Sequence, residues 1–171
     1  ISRIEAGSIV IDRQRVRLGE LLSDCMDHLS HSGSTRALRL RVDVPPELPP
    51  IELDKDLLRI AINNLLTNAA KYNRADGEII LAAEETDDHI VISVQDSGIG
   101  IAADELPHIF EKFYRSADRE AVSRGGHGLG LYLARQIVEL HQGQIEVASQ
   151  PGQGTRFTLS FRKPHVLLRA A

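Results

Sequence analysis

The chain has 171 residues, of which 42% are hydrophobic and 26% are charged, a composition typical of one globular domain with its own core. Its formal net charge of −4 argues against binding to nucleic acid or to an anionic membrane through bulk charge. The single Cys25 excludes an internal disulfide framework and a multi-cysteine zinc site. No apolar run reaches the roughly 18–20 residues that a membrane-spanning helix needs.

Hydrophobic periodicity predicts alternating strands and helices along the first half of the chain. A short strand is predicted at 8–11, and a helix is predicted at 18–31, where apolar residues recur on one face. The strict alternation at 38–44 predicts a half-buried strand, and a proline-rich connection follows it. Asp54 is the predicted N-cap of a long helix that ends at about Tyr72.

The second half of the chain contains two predicted hairpins that are separated by an irregular stretch. Its predicted elements are strands at 78–85, 89–95, 144–149 and 155–161, a short helix at 104–110 and a helix at 128–142. Because helices alternate with strands that pair in hairpins, we predict an α/β sandwich. It combines a mixed, mostly antiparallel sheet with helices on one face, and it is distinct from a doubly wound parallel sheet.

The long predicted helix places several polar side chains on one face. At about 100° per residue, Asn64, Asn68 and Lys71 lie within about 60° of one another, with Tyr72 at the edge of that face. An amide oxygen can ligate a hard cation such as Mg²⁺, and an ammonium group can neutralise phosphate. A solvent-facing polar surface is the alternative interpretation of the same spacing.

Two glycine-rich segments provide further candidates for ligand binding. Asp96 follows an apolar strand, and Gly98 and Gly100 after it allow the backbone to approach a flat ring or a phosphate. The segment 124–131 opens a helix, whose unpaired N–H groups and positive dipole end suit phosphate, although no P-loop Gly-Lys-Ser/Thr follows. A plain turn and a helix cap are the respective alternatives.

In this order and spacing, the segments resemble the catalytic ATP-binding domain of sensor histidine kinases, which has the GHKL or Bergerat fold. Residues 64–72 resemble the asparagine box of that family, and 96–100 resemble its first glycine box. Residues 109–115 resemble its phenylalanine box, and 126–131 resemble its second glycine box, while 151–155 match its closing glycine turn. The resemblance implies ATP and Mg²⁺ as cofactors, and a flexible ATP lid at about 102–127.

The resemblance also implies a role for each matching residue. Asn68 would ligate the Mg²⁺ that bridges the phosphates, supported by Asn64, and Lys71 would contact phosphate. Asp96 would accept a hydrogen bond from the adenine amine, and Arg115 would reach the γ-phosphate. The implied catalytic residues are Asn64, Asn68, Lys71 and Arg115. The other implied nucleotide-binding residues are Tyr72, Asp96, Gly98, Gly100, Ile101, Phe110, Tyr114, Gly126, His127, Gly128, Leu129, Gly130, Leu131 and Thr155.

Two parts of this set have a second interpretation. Phe110 and Phe113 lie next to Ile109, so these aromatic side chains could instead anchor the lid to the core. His127 occupies a position that is often a small hydroxyl residue in the family. It could donate to phosphate, but we favour a side chain that faces solvent.

Asn64 distinguishes between the reactions known for this fold. Gyrase-type and other hydrolysing ATPases of the fold place a Glu at this position, where it orients the attacking water. An amide cannot act as a general base, so the resemblance favours transfer to a histidine over hydrolysis. A non-catalytic ATP-binding or docking module is the alternative function, and a hydrolysing ATPase is the third.

The acceptor histidine is expected to lie outside this chain. In the family, Glu or Asp typically follows the phosphorylated histidine, and none of the seven histidines here is followed by either residue. Residues 1–7 resemble the end of the upstream dimerisation hairpin, 8–163 are expected to form the ATP-binding domain, and 164–171 a tail. We therefore expect a monomeric fragment of a homodimeric parent, unable to phosphorylate itself.

The resemblance also implies partners and a location. The partners are ATP and ADP, the histidine-bearing dimerisation domain of the same parent protein, and the receiver domain of a response regulator. The implied location is the cytoplasm, either as a free protein or as the cytoplasmic part of a membrane-anchored sensor.

Overall fold

The structure is a computed structural model that describes residues 10–32, 37–116 and 126–164. Its elements in chain order are β1 (Gln14–Val16), α1 (Leu18–His31), β2 (Arg39–Asp43), β3 (Ile51–Leu53), α2 (Lys55–Lys71), β4 (Glu78–Glu85), β5 (His89–Asp96), α3 (Gly130–Leu140), β6 (Gln144–Gln150) and β7 (Gly154–Arg162). No helix within these ranges is long and apolar enough to cross a bilayer.

A five-stranded sheet in the order β2-β4-β5-β7-β6 forms one layer of the described structure. β2 runs parallel to β4, and the other neighbouring strands pair antiparallel. β1 and β3 form a separate antiparallel pair. The predicted mixed, mostly antiparallel α/β sandwich is therefore confirmed.

The core lies between the sheet and the helices, as the two-residue period of the strands requires. In β4, Ile79, Leu81 and Ala83 are buried, while the residues that alternate with them are more exposed. α2 contributes its apolar stripe to the same cluster. The buried residues of this stripe are Leu58, Ala61, Ile62, Leu65, Leu66 and Ala69. Burial of this stripe leaves the polar residues of α2 on the side away from the core.

Asp54 caps α2 at the predicted position. Its Oδ1 atom accepts hydrogen bonds from the backbone N–H groups of Asp56 and Leu57, at 3.1 and 3.0 Å. Its Oδ2 atom accepts a third from the N–H group of Asp12, at 3.0 Å. The cap therefore determines where α2 begins and also attaches the segment before β1 to the helix.

Two predicted elements, the strand at 8–11 and the helix at 104–110, differ from the structure, and two short strands were not predicted. Residues 8 and 9 lie outside the described ranges, Val10 and Ile11 are not in a strand, and the first strand is β1. Only Val16 of β1 is buried, so the strand has no two-residue pattern to detect, and β3 is equally short. Residues 104–110 form successive turns rather than a helix, with a hydrogen bond from the His108 N–H group to the Glu105 carbonyl at 2.9 Å.

The last helix begins later than predicted. α3 begins at Gly130 because Gly128 has a φ of +66°, which is outside the helical region. Residues 1–7, Arg124 with the lid positions 117–125, and the tail beyond Pro164 lie outside the described residues.

Candidate functional site

A cleft of about 700 Å³ is lined by α2, the start of α3 and the segments that follow β5 and precede β7. Its volume is in the range of small-molecule and cofactor sites. The structure brings together every predicted site residue except Gly98 and Phe110. The lining residues among those predicted are Asn64, Asn68, Lys71, Tyr72, Asp96, Gly100, Ile101, Tyr114, Arg115, Gly126, His127, Gly128, Leu129, Gly130, Leu131 and Thr155.

Asn64 and Asn68 lie where α2 meets the start of α3. The amide nitrogen of Asn64 donates to the Ile60 carbonyl at 2.9 Å, and this bond fixes the orientation of the amide. A Cβ atom on Gly130 would lie 2.9 Å from Oδ1 of Asn64, so glycine is needed for this approach. No described residue forms a hydrogen bond with the Asn68 side chain, which leaves its oxygen available to a ligand.

Lys71 brings a positive charge to the same part of the cleft. Its Nζ atom lies 4.8 Å from the centroid of the Tyr72 ring. A Cβ atom on Gly126 would overlap with this Nζ atom, and Gly126 has a φ of +120°. The glycine therefore lets the backbone pass close to the ammonium group.

The N-terminus of α3 is open to the cleft. Leu129, the residue before the helix, makes no side-chain capping bond, and the first turn contains no acidic residue. The N–H groups of a first helical turn have no intrahelical acceptor, and the helix dipole adds positive potential there. The hydrogen bond from the Phe113 N–H group to the Gly128 carbonyl, 2.9 Å long, connects the middle of the predicted lid to the residue that follows the lid. This end of α3 is therefore suited to an anion.

Asp96 ends β5, lines the same cleft and is only 8% exposed. Its Oδ1 atom accepts a hydrogen bond from the Gly98 N–H group at 2.8 Å. Burial raises the pKa of Asp96 from its ordinary 3.8 to about 6, although backbone hydrogen bonds from Gly98 and Thr155 oppose the shift. A donor from a ligand would satisfy the remaining acceptor capacity of this carboxylate.

Gly98 and Phe110, which the sequence predicts as nucleotide-binding residues, lie outside the lining of the cleft. A Cβ atom on Gly98 would overlap with the Tyr72 carbonyl oxygen, which also accepts a hydrogen bond from the Ile99 N–H group at 3.0 Å. The Phe110 ring packs edge-on against Phe157, with ring centroids 6.0 Å apart. Phe110 thus fits the second interpretation, an anchor to the core. Phe113 does not, because it is 63% exposed.

Several lining residues were not predicted from the sequence. They are Thr67, Ile99, Ala102, Glu105, Ile109, Ser116, Pro151 and Phe157. Helical spacing could have predicted Thr67, because it is three residues after Asn64 and four before Lys71 on the same helix. No sequence pattern indicated Glu105, since the turns around it have no periodicity. Its carboxylate accepts a hydrogen bond from the Tyr114 hydroxyl at 3.3 Å. His127 lines the cleft and is exposed, so it fits either interpretation.

A sequence profile described as histidine kinase-, DNA gyrase B-, and HSP90-like ATPase matches residues 53–165. The chain belongs to this ATPase family. The matched range contains α2, Asp96 and α3, so the walls of the cleft belong to the ATPase domain.

Sensor proteins and histidine kinases are among the similar chains. The alginate biosynthesis sensor protein KinB of Pseudomonas aeruginosa is 36% identical over 156 residues, which are 91% of this chain and 26% of KinB. The phosphate regulon sensor protein PhoR of the same species is 33% identical over 168 residues, covering 97% of this chain and 37% of PhoR. The chain therefore spans less than two fifths of the length of these two relatives.

Two solved structures have the same fold. Full-length ShkA in complex with AMPPNP matches with a TM-score of 0.83 and 28% identity, covering 94% of this chain and 33% of ShkA. The mycobacterial sensor histidine kinase MprB matches with a TM-score of 0.74 and 27% identity, covering 88% of this chain and 97% of the MprB chain. The ATPase fold assignment therefore agrees with sequence and structure comparisons.

We predict that Asp96→Asn stabilises the unliganded domain at pH 7.5. The unfolded chain ionises Asp96 near its ordinary pKa of 3.8 and the folded chain near about 6, so the folded state binds this proton more tightly. The resulting stability is present below the unfolded pKa and is lost as the pH rises to about 6. The variant should gain about 3 kcal/mol at pH 7.5, where Asp96 is ionised in both states, and almost nothing at pH 4.

Urea unfolding of both proteins at the two pH values measures this difference. Asp87→Asn, the same change at an exposed carboxylate outside the cleft lining, serves as the matched control. An equal effect of Asp96→Asn at both pH values would contradict the desolvation of Asp96.

Proposed function

We propose that this domain binds Mg·ATP in the cleft and donates the γ-phosphoryl group to a histidine on a separate dimerisation and phosphoacceptor domain. The reaction would serve two-component signal transduction, as the sensor-protein relatives suggest. The observation that carries the proposal is the amide of Asn64 beside the open N-terminus of α3.

Asn64 favours phosphoryl transfer over hydrolysis because an amide cannot remove a proton from water. The carboxylates among the described lining residues are those of Asp96 and Glu105. Asp96 lies at the end of β5, and Glu105 accepts from the Tyr114 hydroxyl. The cleft would therefore hold ATP and leave the attack to an external nucleophile. The P–N bond to the histidine forms as the bond from the γ-phosphorus to the bridging oxygen breaks, and ADP leaves.

The two ends of the cleft would bind the two ends of ATP. Asp96 would accept a hydrogen bond from the adenine amine, a donor that guanine lacks at the corresponding ring carbon. The N–H groups at the start of α3, Lys71 and Arg115 would hold the phosphates, since each brings positive potential. The other lining residues predicted from the sequence would complete these two subsites.

The donor set of the cleft fits Mg²⁺ that is bound together with phosphate. Among the described residues, no group of three or more His, Cys, Asp or Glu side chains can hold a metal ion. Mg²⁺ usually takes few protein ligands and completes its shell with phosphate oxygens and water. Asn68 would supply one amide oxygen, with Asn64 beside it, and the ion would neutralise charge on the phosphates.

The acceptor histidine would belong to the dimerisation domain of a homodimeric parent, and a response regulator receiver domain would take the phosphoryl group next. Residues 8–163 would form the ATP-binding domain, with 1–7 from the preceding hairpin, a lid at about 102–127, and a tail at 164–171. The fragment itself would be a monomer in the cytoplasm. The absence of Glu or Asp after any of its histidines supports an external acceptor.

The proposal predicts phosphorylation of a supplied acceptor. The domain is mixed with γ-labelled ATP, Mg²⁺ and a separately purified histidine-bearing hairpin from the parent gene, and acid-labile phosphate is followed. We expect label on the hairpin and none on this chain. A hairpin whose histidine is replaced by Gln is the control. Tight Mg·ATP binding without transfer would indicate a docking module, and rapid phosphate release without the hairpin would indicate a hydrolysing ATPase.

Asp96→Asn should weaken ATP binding, because the charged acceptor for the adenine amine is lost. A hydrogen bond to a charged group contributes about 1.5–3 kcal/mol, so the Kd for Mg·ATP should rise about 10- to 100-fold. Isothermal titration measures the change, with Asp87→Asn as the control at an exposed site outside the cleft lining. Unchanged affinity in Asp96→Asn would contradict the adenine assignment.

Asn68→Ala should reduce the dependence of ATP binding on Mg²⁺ rather than the stability of the fold. The side chain offers its oxygen to the cleft, so its removal costs a metal ligand. The ratio of ATP affinities with Mg²⁺ and with EDTA should fall about 10-fold or more, as for losses of metal-site partners. Asn63→Ala is the matched control on α2, outside the cleft lining. An unchanged ratio in Asn68→Ala would remove Asn68 from the metal site.

A further inference from the structure

His141 follows α3 directly and is only 5% exposed. Its Nε2 atom accepts a hydrogen bond from the backbone N–H group of Asp54 at 3.0 Å. Its Nδ1 atom lies 2.7 Å from the Ile137 carbonyl oxygen. Because an N–H group only donates and a carbonyl only accepts, the ring must carry its proton on Nδ1. Burial lowers the pKa of His141, which keeps this ring neutral.

The bond to Asp54 connects the end of one helix to the beginning of another. Asp54 is the N-cap of α2, and His141 is the C-cap of α3. At the other end of α3, Gly130 meets Asn64 in the middle of α2. Asp54 and Asn64 are about ten residues apart and Gly130 and His141 about eleven, so the two contacts are about 15–17 Å apart along antiparallel helices.

We propose that His141 is a positioning residue for nucleotide binding, because its bond to Asp54 sets how far α3 extends along α2. The position of α3 along α2 determines whether the N-terminus of α3 lies next to Asn64 or is displaced from it. The inference rests on the proposed function, since it assigns the phosphates of ATP to that end of α3. His141 itself lies outside the lining of the cleft.

The two ends of the cleft depend on different elements, which makes the role of His141 testable. The Asp96 end is built by β5 and β7, whose register pairs Asp96 with Thr155. The phosphate end is built by α2 and α3. A displaced α3 should therefore weaken binding of the triphosphate and leave binding of adenosine unchanged. Loss of general stability would instead affect both ligands alike.

Two amide substitutions separate the bond to Asp54 from the other contacts of the ring. In His141→Gln the amide group can reach the position of Nε2, so its oxygen can accept from the Asp54 N–H group. In His141→Asn the amide can reach only the position of Nδ1, so the bond to Ile137 can form and the bond to Asp54 cannot. The ring also packs edge-on against Phe161, with centroids 6.4 Å apart, and both variants lose this contact equally.

The experiment measures the Kd of Mg·ATP by isothermal titration and the Kd of adenosine by NMR titration for wild type and both variants. We expect His141→Asn to raise the Kd of Mg·ATP at least 5-fold with adenosine unchanged, and His141→Gln to stay within 2-fold for both ligands. Unfolding of each variant is followed to choose a temperature at which all are folded. If His141→Asn does not fold, His141→Phe, which keeps the contact with Phe161, has the same expected result.

Three outcomes would overturn the positioning role. The first is an unchanged Kd of Mg·ATP in the variant that lacks the bond to Asp54. The second is an equal rise in the Kd of Mg·ATP and of adenosine. The third is an equal rise in the Kd of Mg·ATP in the Gln and Asn variants. Failure of the proposed function looks different, because the wild-type domain would then either not bind Mg·ATP or bind it without transferring phosphate to the hairpin. The positioning role is measured from the Kd values of the variants relative to wild type.

Discussion

The close approach of α2 and α3 is the constraint on which the candidate site depends. Both helices bury an apolar stripe in the same core, so their packing is determined by the fold rather than by a ligand. Gly130 has no side chain to separate the helices, and the Asn64 amide therefore lies at the open N-terminus of α3. Under the proposed function, an amide beside the metal and N–H groups for phosphate would share one location. A larger residue at position 130 would separate these two functions.

Burial of the Asp96 carboxylate lowers the stability of the unliganded fold at neutral pH. The carboxylate ends a central strand and is nearly buried, so its ionisation above about pH 6 opposes folding. A ligand amine would offset that cost by donating to the charged group. The same burial would limit competition from water for that hydrogen bond. Glycines around Asp96 contribute through close packing, since Gly98 lies against the Tyr72 carbonyl and Gly154 against that of Asp96.

The parts of the structure that were predictable are those with a local physical signal. The long helix α2 combines an apolar period with a capping carboxylate at Asp54, and the hairpins combine alternation with turn residues. Residue chemistry at helical spacing and glycines at strand and helix ends predicted part of the cleft lining, and the family resemblance implied the rest. β1 and β3 depend on pairing with each other across the chain, and Glu105 reaches the cleft through turns with no period. Those features arise from tertiary packing, which periodicity does not encode.

A crystal structure of the domain with Mg²⁺ and a non-hydrolysable ATP analogue tests the central claim most directly. The account predicts the adenine amine within hydrogen-bond distance of the Asp96 carboxylate and the phosphates at the N–H groups of the first turn of α3. It also predicts Mg²⁺ between the phosphates and the Asn68 amide oxygen. A nucleotide bound in the reverse orientation, or a metal ion held without Asn68, would contradict it.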